Sequence, residues 1–390
     1  MMKKPLRVAF TSIPRGLWSG GYNYQSNLFR ALQRYHPGTV TPVLFAGPDE
    51  NPDDLAALAA IPGVEFVQSP AFRQSKKSLM EALVLGRDSE ALAEFSSARI
   101  DLIFESARYF GWRLPVPAMA WFPDFQHRRL PQLFPVAARW RRELGFRAQI
   151  ASRRHVLLSS ESARRDFLVL YPRSSNRISV VKFSSQPDPV MLTADISAIR
   201  TLYGLQNGFF YLPNQFWRHK NHGVVLEALA LLKTRSRNIV VAASGSATDY
   251  REPSYFAQFM KRVDQLDLRA NFLYLGMIPL DHVYGLMRGC MALINPSCFE
   301  GWSTTVEEAR AFGVPMILSD IDVHREQSAG EARYFDVRDS EALASHLDAV
   351  AAVSSPMPQR TLQPDAERRV EAFAANFIGA AQQAVKLLTT

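Results

Sequence analysis

The chain has 390 residues, 47% of them hydrophobic and 21% charged, with a formal net charge of +8. That length exceeds what one hydrophobic core ordinarily serves, and this apolar content excludes a disordered chain, so two folded domains are expected. The positive balance alone leaves nucleic acid, an anionic membrane surface and a small anionic substrate open as partners.

At the N-terminus, the basic segment Met1 to Arg7 leads only into Val8-Ala9-Phe10, too short a run for a signal-peptide core. Short β-branched or aromatic runs then alternate with helical patterns, as in parallel sheets covered by helices. The strands expected in the first half are Arg7 to Thr11, Pro42 to Phe45, Val64 to Val67, Leu102 to Phe104, Met119 to Phe122, Val156 to Leu158 and Ile178 to Phe183. Gly20 and Gly21, between the first strand and a helical pattern ending near Leu32, suit either a close backbone approach to a ligand or an ordinary turn. The run from Trp121 to His127 closes a later strand with Asp124 and His127, groups able to orient hydroxyls or stabilise developing charge. Arg128, Arg129, Arg139, Arg141, Arg142, Arg147, Arg153 and Arg154 follow, interleaved with Leu133, Phe134, Val136, Trp140, Leu144 and Phe146. They form either a solvated helix face or an interfacial surface for a lipid-linked or phosphorylated acceptor. No nucleic-acid-binding motif accompanies this charge, so nucleic acid is not an expected partner.

Ser184 to Pro189 contains two prolines and no apolar periodicity, which places a domain boundary near residue 188 and gives domains 1–188 and 189–364. The second half starts again with strands at Phe209 to Leu212, Ile239 to Ala242, Phe272 to Leu275, Ala292 to Ile294 and Met316 to Leu318. After the first of these comes a basic loop with Arg218 and Lys220, then a helix from about Asn221 to Leu232. Strand C-termini followed by basic residues are where open α/β sheets bind ligands, and Lys220 there can neutralise a diphosphate. Ser244-Gly245-Ser246 and Leu275-Gly276-Met277-Ile278-Pro279 follow further strands. Cys290 and Cys298 supply neither a disulfide framework nor a metal-ligand cluster, which suits a reducing compartment.

The segment Asn295 to Pro315 is the most informative. A buried strand runs into a polar loop, and a helix begins near Thr304 and stops at Gly313. Thr304 and Glu307 read as a capping box, and the free N–H groups and dipole of a helix start suit a phosphate. Glu300 and Glu308 stand eight residues apart, which would be about 12 Å of rise on a continuous helix. That is too far for a carboxylate dyad of about 5 Å, and suits two ends of one extended, hydroxyl-rich ligand. Beyond Pro364, with Asp365 available as N-cap, apolar residues from Val370 to Leu388 recur at helical spacing, so an amphipathic helix is expected over 365–390. No stretch reaches the roughly 20 apolar residues that cross a bilayer. A cytoplasmic protein is expected, one that at most lies on the inner face of the membrane.

The run from Glu300 to Glu308, followed by Gly313-Val314-Pro315 and another strand, resembles the E-x7-E signature of the family-4 retaining glycosyltransferases, glycosyl transferases group 1. The strand, basic loop and Lys220-Asn221 pair are similar to the opening of that family's second domain. The resemblance covers the second half well and the first half loosely. It implies a GT-B fold: an α/β chain of two Rossmann-like domains facing across a cleft, the first for acceptor and the second for donor, with the terminal helix packed back on the first. The activity it implies is retaining transfer of a sugar from a nucleoside-diphosphate sugar to the hydroxyl of a glycan or lipid-linked acceptor, in bacterial cell-surface polysaccharide or glycolipid assembly, with peripheral membrane contact and neither cofactor nor metal. In its terms Glu300 bonds donor-sugar hydroxyls and Glu308 the ribose. The N–H groups of Ser303, Thr304 and Thr305 face the diphosphate, whose departure Lys220 assists. The loop Gly276-Met277-Ile278 cradles the nucleobase, Gly20 and Gly21 face the donor, and His127 lies against the donor sugar with Asp124 on the acceptor side. The chain departs from the pattern at Ser303 and Thr305, where glycine and proline are more frequent, and at Asn214, where many members carry an arginine that Arg218 would replace. Two alternatives share the fold: a sugar-nucleotide epimerase or phosphorylase, and a catalytically silent binding protein.

Overall fold

The computed structural model describes residues 4–386, apart from 74, 107, 186, 188, 206, 250, 356 and 357. Gln186 and Asp188 of the expected linker, Leu388 of the expected terminal helix and Met1 of the basic N-terminus lie outside the described residues.

Two parallel sheets organise the chain. The first contains β1 (Leu6–Thr11), β2 (Val40–Ala46), β3 (Glu65–Gln68), β4 (Leu102–Glu105), β5 (Ala118–Phe122), β6 (His155–Leu158) and β7 (Ile178–Val180), in the order β3-β2-β1-β4-β5-β6-β7. The second contains β8 (Phe210–Leu212), β9 (Val241–Ala243), β10 (Phe272–Tyr274), β11 (Leu293–Asn295), β12 (Met316–Ser319) and β13 (Arg333–Phe335), in the order β10-β9-β8-β11-β12-β13. Helices connect the consecutive strands of each sheet except β4 and β5, and crossovers of this kind cover both faces of a parallel sheet. Accordingly every residue of β4, β5 and β6 is buried. In the second sheet alternate residues feed opposite cores. Phe210, Leu212, Val241 and Ile294 join one cluster, whereas Tyr211, Ala242, Leu293 and Leu318 join the other. The edge strand β13 is absent from the sequence expectation, because Arg333 and Tyr334 are not fully buried and the segment carries no apolar run.

The chain divides into two compact units. The first comprises Met1–Arg128, Val136–Ser184 and Glu367–Thr390, and the second Arg129–Pro135 and Ser185–Ala366. The last helix, Pro364–Lys386, thus supplies core to the first unit. Its Phe377 ring lies 5.9 Å from Phe10 and 5.8 Å from Phe104, and its Phe373 ring lies 5.4 Å from Tyr24 and 5.6 Å from Phe183. The helix begins at Pro364, so Asp365 sits inside its first turn rather than capping it. A proline can open a helix because its missing N–H would have had no intrahelical partner.

Gly20 and Gly21 form no turn. They lie in the first turn of the helix Ser19–Tyr35, directly under the Trp18 side chain. A Cβ at Gly21 would come within 2.4 Å of the indole, so this position excludes any larger residue while the ring stays. The ring stacks in turn on Trp121, centroids 5.2 Å apart.

Ligands of open α/β sheets bind beyond the strand C-termini, where the strand order reverses. In the second sheet the reversal lies between β8 and β11. The loops leaving those two strands carry Lys220 and Glu300.

Candidate active site

The loop after β8 is built on buried polar contacts. Asn214 is 4% exposed, and its amide donates to Asn295 Oδ1 at the end of β11, 3.3 Å away. An arginine here would have to place its charge in that buried position. A short 3₁₀ turn, Arg218–Lys220, then presents the lysine. Asn221 follows with φ 55°, the left-handed conformation that asparagine tolerates better than most residues. Its amide donates to the carbonyls of Pro296 and Val337, at 3.1 and 2.8 Å, while Cys298 N–H donates to the His219 carbonyl at 2.8 Å. These bonds fasten the lysine loop to the loop after β11 and, through Val337, to the segment after β13. The helix His222–Thr234 starts one residue later than expected, because Asn221 is its left-handed cap.

Across this seam Lys220 Nζ lies 2.6 Å from Glu300 Oε1, and Ser297 Oγ donates to the same oxygen at 2.7 Å. Only 14% of the lysine and 10% of the glutamate side chain reach solvent. The structure therefore brings together the two residues expected to hold phosphate and sugar, and joins them directly. Ser297 Oγ also lies 2.7 Å from Asn295 Oδ1, and its carbonyl accepts from Ser319 Oγ at 2.5 Å.

The helix Thr304–Ala311 has Ser303 as its N-cap, so the expected capping box at Thr304 and Glu307 is not formed. No side chain caps the helix: the Ser303 hydroxyl instead meets Asn295 Nδ2 at 2.9 Å and Thr305 Oγ1 at 3.2 Å. The Ser303 N–H is already engaged, donating to Gln327 Oε1 at 2.9 Å, which corrects the expectation that it faces a diphosphate. The first intrahelical bond runs from Glu307 N–H to the Ser303 carbonyl. Thr304, Thr305 and Val306 N–H are left without an acceptor among the described residues, and with the helix dipole they offer positive potential to an anion.

Glu308 is 8% exposed on the same helix, with Tyr284 OH 3.4 Å from Oε1. Burial pushes its carboxyl up to about 8; the tyrosine bond opposes the rise and neighbouring Glu307 adds to it. At neutral pH the group is mostly protonated and can donate as well as accept. His324 is fully buried, its Nδ1 3.0 Å from the Ser319 carbonyl. Burial brings its imidazole down to about 4 despite the opposing field of Glu300, so it is neutral.

Arg218 pairs with Glu252 at 2.6 Å and is 59% exposed, so its charge is already matched outside the Lys220 contact. Gly276 has φ 76°, and its carbonyl accepts from Gly245 N–H at 3.0 Å. Met277 beside it is 75% exposed, while Ile278 packs against the sheet core.

In the first unit Asp124 accepts from Gln126 N–H and pairs with Arg142, both at 2.8 Å. His127 is wholly buried, Nε2 3.3 Å from Glu143 and its ring edge-on to Phe146. Burial lowers its pKa and the Arg142 charge adds to this, partly offset by Glu143. Glu143 also accepts from Arg147 at 2.7 Å and Tyr171 at 3.1 Å. In this arrangement the His127 ring has no exposed face to offer a substrate. Asn295, Ser297, Ser319, His324 and Gln327 went unflagged in the sequence, where small polar residues at strand ends and a glutamine within a helix carry no distinctive signal.

Residues 204–361, the stretch holding Lys220, Glu300 and Glu308, match the family model described as glycosyl transferases group 1. The match lies wholly within the second unit. No curated protein matches this chain in sequence. Its fold is similar to a glycosyltransferase from Rickettsia africae ESF-5, with TM-score 0.67 and 13% identity over 100% of this chain and 97% of that one. Anabaena HepE, solved with UDP, gives TM-score 0.65 and 15% identity over 99% and 100% of the two chains. WaaG, a glycosyltransferase involved in lipopolysaccharide biosynthesis, gives 0.61 and 14% over 98% and 99%. The chain thus has the GT-B fold.

Proposed function

We propose that the protein is a retaining glycosyltransferase of family 4 that moves a sugar from a nucleoside diphosphate to the hydroxyl of a glycan or lipid-linked acceptor. The observation that carries this reading is the Lys220–Glu300 contact beside an uncapped helix start. In the reaction the bond between the anomeric carbon and the diphosphate oxygen breaks, the acceptor oxygen bonds that carbon, and the acceptor proton is released. Negative charge builds on the departing diphosphate, where Lys220 and the N–H groups of Thr304 to Val306 stabilise it without needing a metal. Glu300 orients sugar hydroxyls and Glu308 holds the ribose. HepE has been solved with UDP and glucose, which supports a nucleotide sugar as donor here.

The helix Val136–Ala151 supports a membrane-proximal acceptor. Val136, Trp140 and Leu144 are 62, 56 and 61% exposed at one-turn spacing, and Arg141 and Arg147 are exposed beside them. An apolar stripe with basic flanks suits the surface of an anionic bilayer, although no described helix is long and apolar enough to cross one. Assembly of a cell-surface polysaccharide or glycolipid at the inner face of the membrane fits this arrangement, and WaaG offers a parallel in lipopolysaccharide synthesis.

A thermal-shift screen across UDP, GDP, dTDP and ADP sugars tests the donor, since a ligand that binds only the folded state raises the melting temperature. One nucleotide class should raise it, and incubation with acceptor should release that nucleoside diphosphate and leave the donor's anomeric configuration in the product. Inversion sinks the retaining assignment. Release independent of acceptor, or a shift with none of the four, sinks the transferase reading of the site.

A further inference from the structure

Gln327 lies on the helix Asp322–Ser328 and has no exposed surface. Its amide makes a two-point contact with the backbone of one residue: Oε1 accepts from Ser303 N–H, and Nε2 donates to the Ser303 carbonyl, both at 2.9 Å. Ser303 is the N-cap of the helix whose first N–H groups stand open. Two bonds to one residue's backbone fix its position and its orientation together, which a single bond cannot do. The Ser303 carbonyl is also the acceptor of the first intrahelical bond, from Glu307. The clamp therefore sets the direction in which Thr304, Thr305 and Val306 aim their N–H groups. The same helix holds the other end of the loop, since His324 Nδ1 meets Ser319, and Ser319 Oγ bonds the carbonyl of Ser297, whose own hydroxyl bonds Glu300.

We propose that Gln327 is a positioning residue for the donor diphosphate, holding the start of the Thr304–Ala311 helix so that the N–H groups of Thr304 to Val306, and not that of Ser303, receive it. This rests on the reading of the site as a nucleoside-diphosphate site and adds how it is held. Burying an amide this deeply requires that both its polar ends be bonded, and Ser303 satisfies both. Preorganised donors act without reorganising when charge develops, so loosening the clamp should cost affinity for the charged part of the ligand.

The test uses the full chain. Uridine, UDP and inorganic pyrophosphate are titrated by calorimetry into the wild type, Gln327→Met, which keeps the volume and loses both bonds, and Gln327→Glu, which can still accept from Ser303 N–H. If UDP does not bind the wild type, GDP, dTDP and ADP with their nucleosides are used. Gln327→Met should weaken diphosphate and pyrophosphate binding about tenfold and leave the nucleoside's affinity unchanged, a split that general loosening of the domain would not produce. Equal losses for nucleoside and diphosphate, or no loss in a folded variant, overturn the proposal. A wild type that binds no nucleoside diphosphate overturns the underlying site reading as well. Should the variants not fold, amide exchange of the perdeuterated wild type by NMR decides. Ser303 should be protected without ligand and unchanged by it, with Thr304 to Val306 gaining protection. Protection gained at Ser303 would overturn the assignment.

Discussion

The ammonium of Lys220 and the carboxylate of Glu300, eighty residues apart in sequence, meet at 2.6 Å with little access to solvent. Removing one member of such a pair leaves the other charge half-buried and without its partner, at a cost of about 1 to 3 kcal/mol. Lys220→Met and Glu300→Gln should each lower stability to urea and each abolish most turnover. The double variant should regain much of the stability and none of the activity. A double-mutant cycle on both readouts checks this, and additive stability losses would mean that the contact contributes little.

Glu308 predicts a pH dependence of opposite sign to that of an ordinary salt-bridged carboxylate. Its folded value of about 8 lies above the unfolded 4.5, so the stability it contributes is complete below 4.5 and is lost as pH rises through 8. Glu308→Gln stays neutral throughout. Urea midpoints of the two proteins should therefore diverge as pH rises from about 5 to 8, the wild type declining relative to the variant. Parallel curves would show that Glu308 titrates normally.

Arg218 provides a contrasting expectation. It is largely exposed and paired with Glu252, and exposed pairs contribute about 1 kcal/mol or less. Arg218→Ala should leave the melting temperature and the affinity for a nucleoside diphosphate near wild-type values. A tenfold loss of affinity would restore it as the second phosphate ligand.

Binding to vesicles tests the stripe on the helix Val136–Ala151. The full chain should sediment with vesicles rich in anionic lipid, less so as salt rises, because the Debye length shortens. Trp140→Ser with Leu144→Ser should abolish sedimentation and leave the melting temperature intact, both side chains being more than half exposed. Sedimentation that is unchanged in the variant would place membrane contact elsewhere.

Most strands could be read from the sequence because strands buried on both faces leave dense apolar runs, as at Leu102-Ile103-Phe104. The edge strand β13 could not, since an edge needs less apolar cover. Glu300, Glu308 and Lys220 stood out by type and spacing. What they touch did not: the Lys220–Glu300 bond spans 80 residues, and the Gln327–Ser303 clamp spans 24. Whether Ser303 N–H was free for a ligand depended on a glutamine within a later helix, and no local pattern reports that. The glycine pair misled for a related reason. Its small size accommodates the Trp18 ring, a demand set by packing rather than by a turn.

Phe373 and Phe377 place the last helix in the core of the first unit, against Tyr24, Phe10 and Phe104. Synthesis runs from the other end, and domains otherwise tend to fold as they emerge from the ribosome. Here the first unit must wait for the whole second unit to be translated before its own core is filled. Folding of the first unit can therefore finish only after the second has been synthesised.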